Sequence, residues 1–194
     1  MKVVVIKYNA GNIQSVAFAL ERLGVEFIIS DDLEEIVHAD KVIFPGVGEA
    51  NTTMRYLRDR KMDKLITSLR QPVLGICLGM QLMCSHSNEN DTPCLGIFNC
   101  RVEKFIPTDS SKVPHMGWNK LVGVTGWLSE ELEDQFVYFV HSYFAPVNKY
   151  TIARTRYIVD FSAAMKKDNF YAVQFHPEKS AHAGELVLQS FLSV

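Results

Sequence analysis

Hydrophobic positions change rhythm along this chain, and each change marks an element. Residues 2–8, Lys-Val-Val-Val-Ile-Lys-Tyr, are almost continuously apolar and β-branched, which predicts a strand buried on both faces. Residues 9–12, Asn-Ala-Gly-Asn, read as a turn. Val16, Ala17, Leu20 and Leu23 then recur at helical spacing, and Gly24 closes that helix. Residues 25–29 predict a second strand, Asp31 and Asp32 the first turn of a short helix, and residues 41–44 a third strand stopped by Pro45-Gly46-Val47-Gly48. One polar helix is predicted over 49–69, then a fourth strand over 72–76. From Gly96 to Ala172 the pattern shortens into β-rich runs at 98–105, 136–140, 152–157 and 161–165, divided by turns. Residues 178–192 are helical again, with Ala183, Leu186, Val187 and Phe191 on one stripe.

Strands alternating with helices imply a parallel sheet with right-handed crossovers. The expected fold class is therefore α/β, a mostly parallel central sheet flanked by helices, with antiparallel strands added at one edge in the second half. A length of 194 residues suits one domain over 1–194, and no linker divides it. With 47% hydrophobic and 22% charged residues the chain expects a packed core rather than disorder. Twenty Lys plus Arg against 22 Asp plus Glu lack the basic excess that a nucleic-acid or membrane surface needs. Apolar runs are only a few residues long, whereas a bilayer span takes roughly 20, and no secretory pattern opens the sequence. Cys77, Cys84, Cys94 and Cys100 form no Cys-x-x-Cys pair, so neither a disulfide framework nor a metal site is expected, and no cofactor is implied. The setting this suggests is cytoplasmic and reducing. Cys84, Cys94 and Cys100 are expected to be buried apolar residues.

Cys77 has a more suggestive context. Gly75-Ile76-Cys77-Leu78-Gly79 follows a strand and runs into Met80-Gln81-Leu82-Met83, a stretch that favours helix. Gly-x-Cys-x-Gly is the thiol counterpart of the nucleophile elbow. The sharp strand-to-helix turn strains the nucleophile's backbone, small neighbours admit the close approach, and the helix start favours a charged sulfur. Such a nucleophile needs a base, and the base needs an orienting group. His176 ends the strand-like run 171–175 and is followed by Pro177-Glu178, which puts a carboxylate beside the imidazole. Cys77, His176 and Glu178 meet if both strands end at the same edge of a parallel sheet.

Gly-Ile-Cys-Leu-Gly-Met-Gln at 75–81, with Phe-His-Pro-Glu at 175–178, resembles the class I, triad-type glutamine amidotransferases, which have a flavodoxin-like fold. Further segments are similar to the glutaminase subunits of imidazole glycerol phosphate synthases. They are Tyr-Asn-Ala-Gly-Asn at 8–12, Pro-Gly-Val-Gly at 45–48, Pro-His-Met-Gly-Trp-Asn at 114–119, Phe-Val-His-Ser-Tyr at 139–143, and Lys179-Ser180. The likeness covers essentially the whole chain. Glu49-Ala50 departs from the Ala-Phe of that pattern, and Glu89 lies in Ser-Asn-Glu-Asn rather than a more acidic stretch.

The resemblance implies a glutaminase that hydrolyses L-glutamine through a Cys77 thioester, with His176 as base and acid and Glu178 orienting it. The oxyanion hole would use the N–H of Leu78 and that of Val47, the latter after a backbone adjustment that the flanking glycines permit. Gly46, Gln81, Glu89, His141, Ser142 and Tyr143 would bind the substrate. Ammonia would pass to a separate (β/α)8-barrel cyclase subunit in a heterodimer, yielding imidazole glycerol phosphate and an aminoimidazole carboxamide ribotide in histidine biosynthesis. Asn12, Trp118, Asn119 and Lys179 would lie at or near that interface. Two other readings stay open: a glutaminase serving another synthase, of the anthranilate or pyridoxal phosphate type, and a non-catalytic module of the same fold.

Overall fold

In the computed structural model, which describes residues 1–8 and 12–194, the first half follows the predicted alternation; of the predicted turn at 9–12, residues 9–11 lie outside the described residues. Its elements are β1 (Val3–Ile6), α1 (Ile13–Arg22), β2 (Phe27–Ser30), α2 (Leu33–Val37), β3 (Lys41–Phe44), α3 (Ala50–Asp59), α4 (Met62–Ser68), β4 (Val73–Ile76) and α5 (Leu78–Met83). The second half adds β5 (Cys84–Ser87), β6 (Thr92–Pro93), β7 (Phe98–Lys104), β8 (His115–Lys120), β9 (Phe136–His141) and β10 (Tyr143–Phe144). It closes with β11 (Thr151–Tyr157), β12 (Val159–Lys167), β13 (Phe170–Val173) and α6 (Ala181–Ser193).

The central sheet runs β11-β12-β13-β4-β3-β1-β2. Strands β13, β4, β3, β1 and β2 pair in parallel, while β12 and β11 extend the β13 edge antiparallel. Val3 and Val5 pack on one side of it with Leu20, Ile43 and Val187; Val4 and Ile6 pack on the other with Val42, Phe44 and Leu57. Burial on both faces is the reason this strand is apolar at successive positions instead of alternating.

Three expectations change. The helix predicted over 49–69 is two helices, broken at Lys61, which takes a left-handed φ of 60°. Ala50, Thr53, Met54 and Leu57 form the buried stripe of α3, whose continuation would bury Lys61 and Lys64; a left-handed residue re-phases the chain so that Met62 and Ile66 turn inward instead. Of the β-rich pieces, β11 and β12 join the central sheet, but β7 belongs to a small sheet ordered β10-β7-β5-β6, and β8 and β9 form a separate ribbon. Alternating exposure along β7 and β9 marks strands with one wet face, as these small sheets require. Of the cysteines expected inside, Cys84 is buried but Cys94 and Cys100 are only half-buried; all four are free.

Candidate active site

Cys77 follows the last residue of β4 directly and opens α5 with φ 52° and ψ −106°. A non-glycine residue rarely holds a positive φ, so the surroundings must impose it. The Cys77 N–H donates to the Val173 carbonyl at 2.8 Å, tying the elbow to β13. Glycine at 79 is obligatory, because a Cβ there would stand 2.1 Å from the Phe44 carbonyl oxygen. α5 therefore starts hard against the end of β3, with Cys77 in the wall of a cleft of about 360 Å³.

β13 pairs with β4 in parallel, Val173 opposite Ile76, so the chain beyond β13 leaves the same end of the sheet beside Cys77. His176 follows; its N–H donates to the Tyr138 carbonyl at 2.9 Å, and Pro177–Lys179 turn as a short 3-10 helix before α6. The His176 Nδ1 lies 2.7 Å from Glu178 Oε1, with both side chains 1% exposed. Asn12 Nδ2 donates to the same carboxylate oxygen. Burial alone would lower the His176 pKa, but the negative charges of Cys77 and Glu178 outweigh it and push it up to about 10. The His176 Nε2 is sealed from solvent without a hydrogen-bond partner among the described residues, while the Cys77 sulfur is near enough to bias its charge. The three predicted side chains thus come together from two adjacent strands, as a sulfur, an imidazole favouring its cationic form, and a carboxylate.

The Pro45–Gly48 loop borders the sulfur. Tyr8 donates its hydroxyl to the Pro45 carbonyl, and burial followed by the Cys77 charge raises its pKa, so the phenol stays protonated. A Cβ at Gly46 would meet the Tyr8 hydroxyl at 2.6 Å and the Gly79 nitrogen at 2.8 Å. The Leu78 N–H, expected to be free, donates to the Gly46 carbonyl at 3.3 Å. The peptide between Gly46 and Val47 therefore offers an oxygen to the elbow in this arrangement.

Val47, Leu78, Gln81, Glu89, His141, Ser142 and Tyr143 all line the cleft; Gly46, also predicted to touch substrate, is buried behind its neighbours. Glu89 Oε2 accepts the Ala50 N–H at 2.8 Å, and burial raises its pKa. The departing Glu49 has its own task as the N-cap of α3: burial opposes its charge, but hydrogen bonds from Thr52, Asn90 and Asn51 hold its pKa at about 2. His115 and His141 stand opposite each other across β8 and β9, with Nδ1 of the first 3.1 Å from Nε2 of the second. Because His141 Nδ1 faces the Tyr143 carbonyl at 2.7 Å it must carry a proton, so its Nε2 accepts from His115 Nδ1. Burial holds both neutral, at about 4 for His115 and about 3 for His141.

Trp118 is 52% exposed beside Tyr138, and Lys179 is exposed too. Asn119 turns inward instead, donating to His115 Nε2 and the Arg156 carbonyl, much as Asn12 is committed to Glu178. Met116 and Phe136 add to an exposed apolar face of this ribbon. Sequence reasoning gave no role to Tyr8, His115 or Gln174, whose amide reaches Cys77; for Gln174 the available signal was a polar residue inside the apolar run 172–175. Among the described residues no group of three or more His, Cys, Asp or Glu side chains could hold a metal ion, and no helix is long and apolar enough to cross a membrane.

Residues 4–193 match the family model described as glutamine amidotransferase class-I. The chain is 59% identical over its full length to the imidazole glycerol phosphate synthase subunit HisH of Bacteroides fragilis strain YCH46, and covers all of that protein. The subunit of the same name from Pectobacterium atrosepticum is 45% identical, again over the whole of both chains. A solved glutamine amidotransferase structure superposes with a TM-score of 0.74 at 20% identity, over 98% of this chain and 97% of that one, a likeness of fold. With its family signature and its end-to-end likeness to those subunits, this chain belongs to the class-I glutamine amidotransferases, in the HisH family of imidazole glycerol phosphate synthase subunits.

Proposed function

We propose that residues 1–194 form one glutaminase domain that hydrolyses L-glutamine to glutamate and ammonia as the HisH subunit of imidazole glycerol phosphate synthase. The observation that carries this reading is Cys77 on the wall of a cleft with a buried, hydrogen-bonded His176–Glu178 pair beside it. Cys77 attacks the side-chain amide carbonyl. His176 gives its proton to the departing ammonia, leaving a glutamyl thioester, then takes a proton from the water that releases glutamate. Glu178, steadied by Asn12, orients the imidazole and offsets its charge. Gln81 and Glu89 suit the substrate's α-ammonium, and the 141–143 wall its remaining polar groups.

The tetrahedral oxyanion needs donors where the Gly46 carbonyl now accepts from Leu78. Turning the peptide between Gly46 and Val47 over would withdraw that carbonyl, free the Leu78 N–H and aim the Val47 N–H at the same point. Both donors of the expected hole then arise from one peptide rotation.

Ammonia release requires a consumer, and the relatives' names describe one subunit of a synthase. The consumer in this reading is a (β/α)8-barrel cyclase subunit making imidazole glycerol phosphate in the cytoplasm. The exposed Met116, Trp118 and Phe136 support docking on the ribbon, next to the strand whose Tyr138 carbonyl holds the His176 backbone. The test is glutamine hydrolysis measured alone, with the barrel subunit, and with that subunit plus its ribotide substrate. Stimulation in the last mixture is expected. A competent preparation that the pair fails to stimulate would redirect the acceptor to another synthase, and hydrolysis persisting in Cys77→Ala would remove the thiol mechanism.

A further inference from the structure

We propose that Gln174 is a catalytic residue: its side-chain amide donates a hydrogen bond to the Cys77 sulfur and holds the negative charge there. The idea deepens the glutaminase reading and rests on Cys77 being its nucleophile. Gln174 is the first residue beyond β13, and the parallel pairing of Val173 with Ile76 brings it alongside Cys77. It is fully buried, an unusual place for a carboxamide unless the amide is used.

Its Nε2 lies 3.6 Å from Cys77 Sγ, within reach of an N–H to sulfur contact. Its Oε1 accepts from Gln81 Nε2 at 3.0 Å. Amide groups can be flipped without changing shape, so the direction of this pair must be argued. Gln81 Nε2 also lies 2.8 Å from the Tyr143 backbone carbonyl, which can only accept. That contact identifies the Gln81 atom as nitrogen. Its second proton needs an acceptor, which makes the facing Gln174 atom oxygen, and what remains to face the sulfur is the Gln174 NH2. A backbone carbonyl two side chains away thus decides that Cys77 meets a donor.

A second neighbour of the sulfur sharpens the need for one. Cys77 Sγ lies 3.9 Å from the Val140 carbonyl, whose partial negative charge would favour a thiol over a thiolate. A hydrogen bond to an ionised group is typically about twice as strong as a neutral one, so an amide fixed at the sulfur stabilises the reactive form selectively. The same amide orients Gln81, which lines the cleft, and so connects the substrate's binding wall with the attacking atom.

Alkylation of Cys77 by iodoacetamide reads the sulfur directly and needs no glutamine, so it stands even if glutamine proves not to be the substrate. The labelled cysteine is identified by peptide mapping, and folding is checked by thermal melting. Gln174→Met keeps the side chain's length and removes the donor. The expected result is alkylation about tenfold slower at pH 6.5 and within about twofold of the parent at pH 9.5, with kcat for glutamine reduced about tenfold. Gln81→Met keeps the Gln174 amide but removes the partner that fixes its direction, and is expected to raise KM and to slow alkylation at pH 6.5 by less than Gln174→Met does. Should Gln174→Met fail to fold, Gln174→Asn withdraws the amide by one methylene and is expected to show the same contrast between the two pH values. An unchanged rate at pH 6.5, or an equal loss at both pH values, would overturn the proposal, the second outcome marking altered access rather than lost charge stabilisation.

Discussion

The buried His176–Glu178 pair makes stability depend on proton binding in a way that one substitution isolates. The His176 pKa is held at about 10 in the folded chain, against about 6.5 for a free imidazole. A group whose pKa rises on folding stabilises the fold fully below its unfolded value, and loses that contribution as pH climbs through the folded one. At about 1.4 kcal/mol for each tenfold change in proton affinity, the interval from pH 7 to about 10 is worth roughly 4 kcal/mol. Cys77 and Glu178 share this effect, so Glu178→Gln, which keeps the shape and removes the charge, should cost about 2 kcal/mol near pH 7, a fall in midpoint of roughly 4–8 °C for a chain of this size. Above pH 10 both chains carry neutral imidazole, and the difference should shrink below about 0.5 kcal/mol. Urea unfolding of the two chains at pH 6.5 and pH 10.5 measures it. In parallel, kcat should fall by about 10³–10⁴, as when a triad loses its orienting carboxylate. A destabilisation of equal size at both pH values would assign the effect to packing and refute the reasoning.

Lys61→Gly should raise stability by about 0.5–1 kcal/mol in the same assay, because the residue is exposed and its left-handed φ of 60° costs an L-residue more than glycine; Lys61→Val should lower it. Acid should act through His115 and His141, held neutral at about 4 and about 3: stability falls as pH drops from about 6.5 toward 4, when the unfolded chain takes up protons that the folded one refuses, and the double change to Gln should flatten that decline in a pH series of melting curves. Trp118→Ala, at a half-exposed site, should leave the melting point within about 2 °C and weaken binding to the barrel subunit by at least about 2 kcal/mol in calorimetry.

What the sequence revealed and what it hid have physical causes. Strands β1, β3 and β4 are buried on both faces, so their apolar runs were unmistakable, and Gly24 takes the left-handed φ of 68° that its place after α1 suggested. The meeting of Cys77 with His176 and Glu178 was legible because the elbow is confined to few residue types and two adjacent parallel strands end at the same edge of the sheet. The break at Lys61 was obscured because no glycine or proline announces it; only the displacement of the apolar stripe between Leu57 and Met62 does. Membership of the small sheets was hidden because β5 and β6 are too short to carry a period. The state of the Gly46–Leu78 contact depends on which way one peptide faces, a choice that side-chain identities leave open.

The close pairing of β4 with β13 has a bearing on how this chain recovers from unfolding. Cys77 and Gln174 are neighbours in space though separated by 97 positions, with the β5–β12 region between them. Closing so long a loop is entropically costly and belongs among the slower events of folding. A slip of one residue in that register would put an apolar neighbour, Val173 or Phe175, in the place of Gln174 and displace the imidazole from its own. Returning enzymatic competence after dilution from denaturant would therefore time the correct seating of these two strands, and should lag behind the return of helical signal from locally formed segments.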